Sequence, residues 1–134
     1  MMEHEWTAIA RRCLDGAYAN TMSFPAIVGA LMDAGFEGYD VDYRRGTATY
    51  LRPDGQSVAL ALPGAHGAVA PAFRAEHVEA AVREAQRGGP EYTYRDFCAK
   101  VMAAGCAGYM VSFLGRRVVY FGRTAETHVE HFSQ

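Results

Sequence analysis

At 134 residues, 50% hydrophobic and 21% charged, the chain is long enough to bury a core of its own and has the wrong composition for a disordered polymer. Its formal net charge of -2 supplies no general attraction to phosphate backbones or anionic lipid, which sets nucleic acid aside as a partner. Three cysteines, Cys13, Cys98 and Cys106, lack the spacing of a zinc ribbon or a CxxC site, and no stretch approaches the ~20 apolar residues of a membrane span, so a reducing cytoplasm is the expected setting.

The first predicted element is a helix from about Glu5 to Tyr18, with Trp6, Ile9, Ala10, Cys13, Leu14 and Ala17 on one face and Arg11, Arg12 and Asp15 on the other. Ser23 is the expected N-cap of a second helix, whose stripe runs through Phe24, Ile27, Val28, Leu31 and Met32 and stops at Gly35. Alternation then takes over. Tyr39, Val41 and Tyr43 mark a half-buried strand, Arg44-Arg45-Gly46 a turn, and Thr49-Tyr50-Leu51 a second strand. After the Pro53-Asp54-Gly55 turn a third strand spans Gln56 to Leu62, apolar on one side and alanine on the other, so it reads as buried on both sides or covered by small residues. Residues Gly64 to Pro71 have no periodicity and read as a linker, with His66 a loop residue.

A helix from about Phe73 to Gln86 follows, carried by His77, Val78, Ala81, Val82 and Ala85 and ended by Arg87-Gly88-Gly89-Pro90. Thr93 then caps a helix through Tyr94, Phe97, Cys98, Val101 and Met102, with Asp96 in capping-box position and Gly105 as the stop. Tyr109, Val111 and Phe113 form the next strand, Gly115-Arg116-Arg117 the turn, and Val119-Tyr120-Phe121 the following strand. These features return those of Phe24 to Leu51 at an offset of seventy positions, as Tyr39 to Tyr109 and Tyr50 to Tyr120 show. The expected fold is therefore α+β, an internal duplication of a helix-helix-three-strand unit. Two repeats, about 1–63 and 72–134, form a single domain with one antiparallel sheet and helices packed on one face. Separate three-stranded sheets are the competing arrangement.

Symmetry fails at the last strand. Where the first unit has Ser-Val-Ala-Leu-Ala-Leu-Pro from Ser57, the second has Glu126, His128, Glu130 and His131. On an extended strand Glu126, His128 and Glu130 fall on one side at ~6.6 Å intervals. An imidazole between carboxylates suits acid-base work or part of a metal site, with Arg123 beside it to hold an anion. The competing account is a wet edge strand whose charges block edge-to-edge pairing. Two registers are open: aligning Val58 with Val129 buries Thr127, Val129 and His131, whereas the seventy-residue offset puts His128 and Phe132 on the face of Val58. Tyr39 and Tyr109 are candidate ligand contacts lining a pocket between the halves, against ordinary core packing. The arginine pairs at the turns read as solvated residues before phosphate grips. A Cys98 or Cys106 pairing with His128 is the one available thiol arrangement, disfavoured by burial. No phosphate-binding glycine loop, HExxH or GxSxG pattern occurs.

The ending Tyr120-Phe121-Gly122-Arg123-Thr124-x-Glu126-Thr127-His128-Val129-Glu130, the helix starts at Ser23-Phe24-Pro25 and Tyr94-Arg95-x-Phe97, and the Ala104-Gly105-Cys106-x-Gly108-Tyr109 junction together resemble the YbcV/YdfO-like family. These are small bacterial and prophage-borne proteins of unknown function, some labelled "phage envelope protein". The resemblance implies no catalytic residue. The expected function is a non-enzymatic binding or regulatory module, a homodimer or the host of a small ligand or protein partner, with no cofactor or metal. The alternative is a small metal-dependent or acid-base hydrolase centred on His128 with Glu126 and Glu130.

Overall fold

A computed structural model of the chain describes residues 4–64 and 67–132. His66, expected in the linker, lies outside the described residues. The elements run α1 (Glu5–Tyr18), α2 (Phe24–Asp33), β1 (Gly38–Asp42), β2 (Thr47–Leu51), β3 (Ser57–Ala61), α3 (Ala75–Arg87), α4 (Tyr94–Ala103), β4 (Cys106–Ser112), β5 (Arg117–Gly122) and β6 (Thr127–His131). Local chemistry accounts for their limits. The Ser23 Oγ accepts the Ala26 N–H at 3.3 Å, and the Thr93 Oγ1 accepts the Asp96 N–H at 3.1 Å. At the end of α2, Gly35 takes φ +93°, and the N–H groups of Gly35 and Phe36 donate to the Met32 and Leu31 carbonyls, each at 3.0 Å. The Arg52 guanidinium donates to the Ala34 carbonyl at 2.7 Å and lies over the Trp6 ring, tying the β2–β3 turn to the α1–α2 pair.

All strands join one six-stranded antiparallel sheet in the order β3-β2-β1-β4-β5-β6, not two separate sheets. At its centre β1 and β4 pair with Asp40 opposite Met110, Gly38 opposite Ser112 and Asp42 opposite Gly108. Exchanging each residue for the one seventy positions away returns the same pairs. The backbone bonds beyond the strand ends behave likewise: Tyr43 N–H donates to the Ala107 carbonyl at 2.9 Å and Phe113 N–H to the Glu37 carbonyl at 3.0 Å. Closeness here needs glycine. A Cβ on Gly38 would stand 2.4 Å from the Val111 carbonyl oxygen, and one on Gly108 would stand 2.2 Å from that of Val41.

One hydrophobic cluster joins residues of both halves, among them Leu31, Val41 and Tyr50 with Val78, Val101, Val111 and Tyr120. The helices bury the sheet face that carries Tyr39, Val41, Tyr109 and Val111, while alternate residues face away and leave Met110 47% exposed. Two expectations change. Ala59 and Ala61 are exposed, so β3 is buried on one side only, because no layer covers the second face there. Phe24 and Met32, at the limits of the α2 stripe, are exposed as well, since the helix turns only its centre toward the sheet. No helix among the described residues is long and apolar enough to cross a membrane.

Replacing Gly38 or Gly108 by alanine should each destabilise the protein by about 1–3 kcal/mol through forced overpacking at the β1–β4 seam. Gly29→Ala on α2, where an added Cβ meets nothing within 4 Å, should stabilise by about 0.5–1 kcal/mol. Urea unfolding of the three variants checks this, and a neutral Gly38→Ala would contradict the seam's tight approach.

Candidate functional site

The polar residues of the last strand meet a helix flank that the sequence reading passed over. Val78, Ala81 and Val82 anchor α3 against the core, which turns Glu79 and Arg83, one helical turn apart, toward the sheet edge. On β6, Tyr120 pairs with His128 and Val118 with Glu130. Tyr120 and Val118 are buried under the helices, and directly paired residues share a face, so His128 and Glu130 point to the helix side too. The register question is thereby answered. Tyr50 pairs with Val58 as Tyr120 pairs with His128, so the seventy-residue offset holds, and His128 and Glu130 stand where the first half has Val58 and Leu60.

The side chains converge. His128 Nε2 lies 2.6 Å from Glu130 Oε2, Arg83 Nη1 donates to Glu130 Oε1 at 2.8 Å, and Arg83 Nη2 lies 3.6 Å from Glu79 Oε2. Arg83 Nη1 also reaches Gln86 Oε1 at 3.2 Å, and the His128 ring leans on Tyr120 at 6.4 Å between centroids. The Glu130 and His128 side chains keep 11% and 17% of their exposure. One ligand atom each from Glu79, His128 and Glu130 lies within 4.8 Å of the others, a spacing that could hold a metal ion. Burial pushes the Glu130 carboxyl up, but hydrogen bonds from Arg83 and His128 outweigh it and hold the group below its ordinary value.

Among the described residues, nothing of the kind is repeated in the first half. The buried residues Ala10, Cys13 and Leu14 of α1 correspond to Val78, Ala81 and Val82 of α3, sixty-eight positions on. Glu79 and Arg83 thus correspond to Arg11 and Asp15, and the strand opposite offers Val58 and Leu60.

Other expected site residues fall elsewhere. Glu126 precedes β6 and is exposed, its carbonyl accepting the Gly122 N–H at 2.9 Å. Arg123 donates to the Val69 carbonyl at 3.2 Å and so holds the linker. Tyr39 and Tyr109 are 6% and 5% exposed with ring centroids 6.3 Å apart, and the Tyr109 hydroxyl hydrogen-bonds that of Tyr94. Cys98 and Cys106 are buried. The Tyr18 hydroxyl is 4.0 Å from the Cys98 sulfur, and the Cys106 thiol donates to the Gly108 carbonyl at 3.1 Å. Burial raises the pKa of both, that of Cys106 to about 11. Two shallow grooves, one between α1 and α2 beside Trp6 and one between α3 and α4 spanned by the Glu84–Lys100 pair, lie outside the cluster. The one sequence trace of Glu79 and Arg83 was their i, i+4 spacing.

The chain belongs to the family described as Protein of unknown function (DUF1398), which matches residues 16–130 and so takes in both halves and the cluster through Glu130. No curated protein matches it.

With its carboxyl held low in the folded state, Glu130 contributes stability that is complete above the ordinary carboxyl value of ~4.3 and lost as pH falls through the lower folded value. In urea titrations across this range, Glu130→Gln should lose less stability on acidification than the wild type; parallel acid limbs would contradict the assignment. Iodoacetamide at neutral pH should label none of the three cysteines in the native protein over a time that labels all of them in urea, and rapid native labelling would show an open thiol.

Proposed function

We propose that this protein is a binding module, regulatory and not catalytic, whose working surface is the α3–β6 edge. The observation that carries this reading is the asymmetry of the two sheet edges. At equivalent positions Val58 and Leu60 serve the first half with apolar side chains, so the fold does not need His128 and Glu130 where they stand. Nor is stability a sufficient reason for them, since a partly buried ion pair seldom outdoes apolar replacements of similar size. We read the halves, about 1–63 and 72–134, as copies of one ancestral unit completing a single domain, with the self-matching β1–β4 register in support. The occupant of the edge is a small ligand or a protein, a second copy of this chain included. Among its kin we place the chain with the bacterial and prophage-borne YbcV/YdfO-like proteins, on the motifs quoted above, and in the cytoplasm.

A second reading, an acid-base or metal-dependent hydrolase, draws support from the 2.6 Å contact of His128 with Glu130. Glu126 lends it none, being exposed in the preceding turn.

The deciding experiment restores symmetry with His128→Val and Glu130→Leu together. The double variant should keep or raise the thermal midpoint, as expected of residues held for binding. A fall of more than ~10 °C, roughly 3 kcal/mol for a chain of this size, would make the cluster a structural brace and end the proposal.

A further inference from the structure

Glu130 divides its oxygens. Oε1 takes the Arg83 guanidinium and Oε2 the His128 imidazole, while Glu79 reaches the same guanidinium from the next turn of α3. The two carboxylates outnumber the one guanidinium, and Arg83 is the cation shared between them. We propose that Glu79, His128 and Glu130 bind a divalent transition cation of the zinc class, and that Arg83 is the internal cation holding the carboxylates when no such ion is bound. This rests on the binding reading above and names its ligand class.

The donor set is one imidazole nitrogen and carboxylate oxygens, which suits zinc and its first-row neighbours and suits magnesium poorly, because magnesium keeps its water and prefers oxygen alone. Around a tetrahedral zinc at ~2.1 Å, ligand atoms stand ~3.4 Å apart, so the Glu79 carboxylate has to draw in from within the 4.8 Å spread while His128 Nε2 and Glu130 Oε2 part from 2.6 Å. Room for that movement exists: the Glu79 and Arg83 side chains are 50% and 45% exposed. On binding, the ion takes the place between His128 Nε2 and Glu130 Oε2, Glu79 turns from the guanidinium to the ion, and Arg83 moves toward solvent. Three protein ligands leave a fourth position for water or a partner's donor. The buried cysteines offer no competing exposed thiol.

The test is a Zn²⁺ titration of the full chain by calorimetry, with Mg²⁺ as the control cation. Zinc should bind one to one and magnesium should not. Glu79→Gln and His128→Ala should each weaken zinc by at least ~tenfold, whereas His131→Ala, on the opposite face of β6, should leave it unchanged. Arg83→Gln is the discriminating variant: it should tighten zinc by about tenfold or more, and one equivalent of zinc should restore any thermal midpoint it lost. An ion-pair brace predicts the reverse, a less stable variant that zinc does not rescue. Unaltered zinc affinity in His128→Ala, or no tightening in Arg83→Gln, overturns the metal assignment. If it falls while the His128→Val, Glu130→Leu variant stays stable, the binding edge survives with another ligand; if that variant unfolds, the edge itself is lost.

Discussion

Between β1 and β4 the backbones of the two halves meet with Asp40 opposite Met110, and from this pairing everything else takes its place. Three strands and two helices of about sixty residues are marginal by themselves. Joined edge to edge, they form a six-stranded sheet whose inner face is buried by four helices, and Val41 and Val111, both central, are 2% and 1% exposed. The seam closes because Gly38 and Gly108 present no side chain to the opposing carbonyls of Val111 and Val41. A central pairing also leaves the outer strands β3 and β6 as the two edges of the sheet, free to differ without disturbing the core.

They do differ. The β3 edge turns Val58 and Leu60 to the core side of the sheet, whereas β6 sets His128 and Glu130 beside Glu79 and Arg83 of α3. Apolar side chains at one edge and charge-assisted hydrogen bonds at the other occupy equivalent strand positions. The carboxylate of Glu130 is desolvated enough to need its partners, while Arg83 keeps an exposed flank. The β6 charges therefore cannot be explained by protection of a bare edge alone, because His128 and Glu130 turn inward, under the helix, while Thr127, Val129 and His131 face out.

The aromatic interior has a different logic. Tyr39, Tyr50, Tyr109 and Tyr120 lie on matching strand positions and fill the volume under the helices with rings in stacked, edge and tilted contacts. The Tyr109 hydroxyl finds its partner within the core, in the Tyr94–Tyr109 hydrogen bond. Cys98 sits beside the Tyr18, Tyr43 and Tyr94 hydroxyls as a small residue whose thiol pKa burial raises.

Much of the architecture was legible from the sequence because its signals are local. The stripes of α1 and α4, the caps at Ser23 and Thr93, the stop at Gly35 and the alternation through Tyr39 and Tyr109 each depend on neighbours within a few residues, and the seventy-residue return exposed the two-part order of elements. That His128 and Glu130 share one side of an extended strand was visible for the same reason. Tertiary structure alone decided which edges met, which of two registers β6 adopted, and that Glu79 and Arg83 rather than Glu126 and Arg123 would complete the cluster. Residues 79 and 130 are brought together by the rotation of α3 about its axis and the seating of that helix on the sheet. Such rotation is set by the summed packing of Val78, Ala81 and Val82 against the whole core, and no local pattern records it.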